Sequence, residues 1–137
     1  MSKIIAIDFG LKRTGIAITD TLNIIASPLT TVDSRTLMEF LKTLIPQEKV
    51  AVVVLGEPKR LNMEDAHISE NVRMLREALE KEFPTCKIVM MDERFTSKMA
   101  FQSMIDGGVK KKKRQDKGLV DQISATIILQ SYLQMNP

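Results

Sequence analysis

Apolar and polar positions alternate or run together in a readable order along the chain. Lys3–Phe9, Thr14–Asp20 and Asn23–Val32 read as three strands joined by short turns. Pro28 cannot donate a ladder hydrogen bond, which argues for an edge position of the third. Asp33 or Ser34 can cap the next element. Leu37, Phe40, Leu41, Leu44 and Ile45 then recur at helical spacing, and Pro46 is expected to stop that helix. Val50–Leu55 is a continuous β-branched run, the pattern of a strand buried on both faces, ended by Gly56-Glu57-Pro58. Lys59 to Asp65 shows no periodicity and reads as a polar loop. Ile68, Val72, Leu75 and Leu79 share one helix face, and Pro84 follows. Lys87–Met91 is a short apolar strand ending at Asp92-Glu93-Arg94. Thr96 or Ser97 can cap a helix through Ile105, closed by Gly107-Gly108. A basic loop and a final helix, Lys117 to Leu133, complete the chain.

The order βββαβαβαα predicts an α/β fold. Three leading strands make an antiparallel meander, and two later strands, each reached through a helix, add in parallel. The expectation is a mixed five-stranded sheet flanked by helices. Neither an internal repeat nor an interdomain linker is visible, so residues 1–137 read as one domain.

Composition narrows the class. The chain has 137 residues, enough to bury a real core. Its nine methionines read first as gap-filling core residues. No apolar run approaches the roughly 20 residues that span a bilayer, and the N-terminus enters a strand directly, without a signal-peptide pattern. The single cysteine, Cys86, excludes an internal disulfide and a cysteine-based zinc site, and reads as a buried inert thiol. The single histidine, His67, excludes a histidine-based metal cluster and reads as a solvated side chain. These features fit a cytoplasmic protein away from membranes. The net charge of +3 is weak evidence for a polyanionic partner; its distribution says more.

The chemistry lies in carboxylates. Asp8 closes the first strand beside a glycine turn, on the face of Ala6 and Ile4, where a desolvated carboxylate needs a cation. Glu57 ends the strand expected to lie beside it, and Asp92-Glu93 ends the next. Asp121 lies in a helical row with Ala125, Ile128 and Tyr132 that is otherwise apolar or small, so it is expected to face inward. Ligand sites in such sheets gather at the carboxyl ends of the strands. Inward carboxylates without histidine or cysteine describe a hard-metal site for Mg²⁺ or Mn²⁺, the ions that prefer oxygen ligands. The alternative is a set of ion pairs, with Glu93 and Asp121 matched to Arg94, Arg13 or Lys117. The run Lys110-Lys111-Lys112-Lys113-Arg114, with Lys117 after it, is either a solvated loop or a clamp on a phosphate backbone. Little aromatic interleaving accompanies it, so base stacking is not indicated.

Three stretches together resemble the YqgF family, also called RuvX, the Holliday junction resolvase-like proteins. They are Asp8, Gly10, Lys12, Arg13, Gly15 and Ala17 of a D-x-G-x-K-R-x-G-x-A pattern; Asp92-Glu93-Arg94-Phe95-Thr96-Ser97; and Lys117-Gly118-Leu119-Val120-Asp121 running into Ser124-Ala125 and Ile128-Leu129-Gln130. The resemblance covers nearly the whole chain. It implies a ribonuclease H-like fold and a cytoplasmic nuclease that matures the 5′ end of pre-16S rRNA in ribosome biogenesis. It also implies acidic catalytic and metal-binding positions at Asp8, Glu93 and Asp121. The sequence departs from the family after the Val-rich strand. The family usually has Gly-Leu-Pro and an Asn-Met-Asp-Gly-like turn there, where this chain has Gly56-Glu57-Pro58 and Lys59-Arg60 ahead of Leu61-Asn62-Met63.

The leading expectation is therefore a Mg²⁺- or Mn²⁺-dependent hydrolase of phosphodiester bonds in structured RNA. Asp8, Glu93 and Asp121 are the catalytic and metal residues, with Glu57 a further metal ligand. Lys12, Arg13, Arg94, Lys110, Lys111, Lys112, Lys113, Arg114 and Lys117 hold nucleic acid. Alternatives are a resolvase-type nuclease of branched DNA and a non-catalytic RNA-binding assembly factor. An actin-like kinase needs two such domains around its nucleotide, and the chain is too short. With no sign of a dimer interface, a monomer or weak dimer is expected.

Overall fold

The computed structural model describes residues 2–57, 63–92 and 117–135. Its elements are β1 (Lys3–Phe9), β2 (Arg13–Thr19), β3 (Ala26–Asp33), a 3-10 turn (Ser34–Thr36), α1 (Leu37–Glu48), β4 (Val50–Glu57), α2 (Met63–Glu82), β5 (Lys87–Asp92) and α3 (Lys117–Met135). The strands form one sheet in the order β3-β2-β1-β4-β5. β1 runs antiparallel to β2 and parallel to β4; β2–β3 is antiparallel and β4–β5 parallel. This is the expected meander with two parallel additions, and β3, carrying Pro28, lies at an edge.

Alternation along β1 and β2 divides the core in two. Ile5, Ile7 and Ile16, with Val53 and Leu55 of β4, pack against Leu37, Leu41, Leu44 and Ile45 of α1 and Val72 and Leu79 of α2. Ile4, Ala6, Ala17 and Val54 point the other way, onto Ala125, Ile128, Leu129 and Tyr132 of α3. α3 lies chiefly across β2, with β1 and β3 on either side. A fully buried aliphatic such as Leu129 contributes about 1.5–3 kcal/mol by removal from water, and β1, β2 and β4 are apolar on both faces because both are covered.

Several boundaries differ from those expected, each for a local reason. β3 begins at Ala26 rather than Asn23, because Asp20–Ile25 is a built turn. The Asp20 carboxylate accepts from the N–H groups of Ile24 (2.8 Å) and Ile25 (3.1 Å), and Asn23 sits in the left-handed region at φ 56°. Pro46 does not stop α1. It lies in the last turn, where its lack of an N–H leaves the Lys42 carbonyl without its helical donor. Leu44 and Ile45 before it are buried, and the helix closes only at Lys49, whose left-handed φ of 53° brings its N–H onto the Pro46 carbonyl. The polar loop expected over Lys59–Asp65 is shorter than that, because Met63 already begins α2. Asp33 serves as the expected cap: its side chain accepts from the Arg35 N–H at 2.9 Å. Cys86 is partly rather than fully buried. Its Sγ donates to the Val50 carbonyl at 3.2 Å, and burial pushes the thiol pKa up, away from the reactive thiolate. The helix expected from Thr96 or Ser97 to Ile105 lies outside the described residues, as does the side chain of His67.

Candidate active site

The parallel strands β1, β4 and β5 end at Phe9, Glu57 and Asp92, so their carboxyl ends share one edge of the sheet. Asp8 lies at that edge, opposite Gly15 of β2 in register. Directly opposed residues of an antiparallel pair project to the same face, here the face of Ile4, Ala6 and Ala17, which α3 covers.

Gly15 sets how close α3 can come. A Cβ on Gly15 would collide with the backbone carbonyl of Asp121 and would lie 2.8 Å from the amide nitrogen of Gln122. The helix backbone thus rests on the strand at the residue paired with Asp8. Asp8 and Asp121, 113 positions apart in sequence, thereby converge on one face, as the inward row of α3 predicts. An isolated glycine within a strand pattern is a known mark of such an approach. That signal stands in the sequence at Thr14-Gly15-Ile16, but the partner it admits is visible only in the fold.

Asp121 also meets a cation. Arg13 Nε lies 3.3 Å from its Oδ2, with the side chains 41% and 26% exposed. The pair runs through Nε and leaves the terminal nitrogens of the guanidinium, its two-pronged edge, to other groups. The ion-pair alternative is thus realised for Arg13 and Asp121, and it is compatible with a metal site beside it. Lys12 is exposed one residue earlier.

The turn between β1 and β2 is tied down from the 3-10 turn that follows β3. The Ser34 hydroxyl donates to the Gly10 carbonyl at 2.5 Å and lies 2.8 Å from the buried Thr14 hydroxyl, while the Ser34 N–H donates to the Lys12 carbonyl at 3.0 Å. The sequence marks Ser34 only as a possible cap, because bonds between segments 24 residues apart leave no local pattern.

Among the described residues no group of three or more His, Cys, Asp or Glu is placed to hold a metal. Two of the expected ligands, Asp8 and Asp121, are described and share a face. Glu93 follows β5 in sequence and lies outside the described residues, as do Arg94 and Lys110–Arg114. For Glu57 the backbone alone is described: the ladder stays regular through Gly56↔Met91 and Glu57↔Asp92. Lys117 begins α3. The described donors are of the oxygen type a hard divalent cation prefers, one carboxylate at the end of β1 and one on α3, while the chain's only cysteine, Cys86, precedes β5 at the opposite end from Asp92.

The comparisons with known proteins agree with this geometry. The model of the family described as "RuvX: Holliday junction resolvase" matches residues 2–135. The chain belongs to the RuvX family. A RuvX relative from Flavobacterium johnsoniae is 51% identical over 133 residues, covering 97% of this chain and 96% of that protein, and bears the name "Putative pre-16S rRNA nuclease". The Flavobacterium psychrophilum relative of the same name is 54% identical over 133 residues, with 97% of each chain covered. Among solved structures, T. thermophilus RuvC in complex with Holliday junction substrate superposes with a TM-score of 0.62 at 16% identity, covering 99% of this chain and 97% of that one. This RuvX chain therefore has the ribonuclease H-like fold.

Proposed function

We propose that this protein is a divalent-metal-dependent endonuclease of structured RNA that trims the 5′ end of pre-16S rRNA in the cytoplasm. The observation that carries the reading is the convergence of Asp8 and Asp121 on one face at Gly15, on a fold shared with RuvC bound to its Holliday junction substrate. The substrate comes from the names of relatives about half identical to this chain over nearly its full length.

Asp8, Asp121 and Glu93 are the residues proposed to hold Mg²⁺ or Mn²⁺, with Glu57 a further candidate ligand at the end of the neighbouring strand. When bound, such an ion supplies Lewis-acid polarisation of a phosphodiester and a water acidified towards hydroxide. Asp121 aligns Arg13 through Nε, so that the guanidinium edge can take a phosphate oxygen pair. Lys12 adds charge beside it, and Arg94, Lys110–Arg114 and Lys117 are proposed to grip the backbone on either side of the cut. Whether Glu57, which departs from the family pattern, binds the ion is tested by titrating Mn²⁺ against the activity of Glu57→Gln and Glu93→Gln.

The deciding experiment sets a pre-16S rRNA fragment beside a DNA four-way junction, with Mg²⁺ and with Mn²⁺. Wild-type protein should cut the RNA, and Asp8→Asn, which keeps the shape and loses the charge, should fold and lose activity by at least about a hundredfold. Full activity in folded Asp8→Asn would remove Asp8 from the chemistry. A preference for the junction would move the reading to a DNA resolvase, the activity in the family's description. Such a resolvase cuts two strands symmetrically, and so needs two copies.

A further inference from the structure

The structure assigns Ser34 the role of a positioning residue for the phosphate-binding turn, Gly10–Arg13. This rests on the reading of Lys12 and Arg13 as phosphate contacts. A serine hydroxyl has one hydrogen. The Gly10 carbonyl can only accept, so that hydrogen goes to Gly10, and in the contact with Thr14 it is Thr14 that donates to Ser34 Oγ. The result is an ordered chain, Thr14 Oγ1 to Ser34 Oγ to the Gly10 carbonyl, with Thr14 wholly buried at its root. The Ser34 N–H adds a third tie, to the Lys12 carbonyl.

Ser34, the residue just after β3, thus holds two points of the turn between Asp8 and Arg13, the Gly10 and Lys12 carbonyls, and is itself anchored to Thr14 of β2. The turn itself is tight: a Cβ at Gly10 would lie 2.5 Å from the Arg13 carbonyl. Ser34 in turn is fixed from its own side, because Asp33 beside it pairs with Arg13 in register and binds the Arg35 N–H and guanidinium. Without the hydroxyl, the Gly10 carbonyl loses its side-chain donor and the backbone carrying Lys12 and Arg13 loses its lateral constraint. The Arg13 guanidinium is then no longer presented to a phosphate, and that one contact is lost from the complex.

The test measures binding of a single-stranded RNA oligonucleotide in EDTA, where no cleavage occurs, as a function of salt. The proteins are wild type, Ser34→Ala, Ser34→Thr, Arg13→Gln and the Ser34→Ala/Arg13→Gln double variant. Ser34→Ala should weaken binding about three- to tenfold and lower the salt slope by about 0.7, the value of one single-strand phosphate contact. Ser34→Thr, which keeps the hydroxyl, should restore both. The double variant should bind no worse than Arg13→Gln, because both changes remove the same contact. Ser34→Cys, near-isosteric with a weaker donor, is measured alongside and should fall between wild type and Ser34→Ala, so that the outcome does not depend on the alanine variant folding. A lowered melting temperature with an unchanged salt slope, or additive losses in the double variant, would overturn the role of Ser34. An unchanged slope in Arg13→Gln would instead overturn the phosphate reading of Arg13 on which it rests.

Discussion

At Gly15 the difference between a hydrogen and a methyl group decides how near α3 can lie to the sheet. Gly15→Ala would force apart two stretches of backbone rather than two flexible side chains, so the strain has nowhere soft to go. We expect a loss of about 1–3 kcal/mol in urea denaturation, together with a fall in cleavage activity larger than the stability loss explains, because Asp121 moves with the helix. The neighbouring Arg13–Asp121 pair behaves differently. Both side chains are partly exposed, so the pair contributes no more than about 1 kcal/mol to stability, and Arg13→Gln should melt near wild type. Its effect should appear in Mn²⁺ titration followed by electron paramagnetic resonance: relieved of its cation, Asp121 binds the ion several-fold more tightly. Lys12→Gln removes an equal charge one residue away and should leave that affinity unchanged; an equal shift in both variants would mean that only the general field had altered. At this scale the sequence was informative where chemistry is local. Asp8 at a strand end and Asp121 in an apolar row could be read directly. The contact of Gly15 with α3, and of Ser34 with Gly10, depends on which elements meet, and no spacing reports that.

The elements were readable because burial on both faces imposes long apolar runs on β1 and β4 and a clear helical stripe on α1. Their ends were harder, since single hydrogen bonds decide them. The β2–β3 hairpin shows why. Its turn is closed by the Asp20 carboxylate, and the backbone N–H groups of Ile25 and Ile24 hold that carboxyl below its ordinary pKa of 3.8. The native state therefore prefers the charged form. Its contribution to stability is fully present above the unfolded-state pKa and is lost as pH falls through the lower folded-state value. Asp20→Asn keeps an acceptor but not the charge. It should melt below wild type at pH 7, with the gap narrowing towards about pH 2; a constant gap in calorimetry across that range would contradict this account. Pro46 is the converse case, a residue whose usual meaning was overridden because Leu44 and Ile45 anchor the turn in the core.

For the molecule as a whole, the arrangement of layers followed from the order of elements, and the sheet order β3-β2-β1-β4-β5 completes it. One layer has an unusual dependence. The face made by Ile4, Ala6, Ala17 and Val54 is covered by α3, the last helix of the chain. A chain ending at residue 116 would expose that face, and contiguous apolar surface of this kind drives association. We expect residues 1–116 to collect in the insoluble fraction on expression, whereas the full chain stays in solution. The same dependence has a consequence in time. During translation β1 and its Asp8 are made first, and Asp121 arrives only with α3. Until that helix has left the ribosome and docked on Gly15, the two carboxylates proposed to act together are not both in place. On the proposed reading, the site would therefore be incomplete for as long as the chain is still being made.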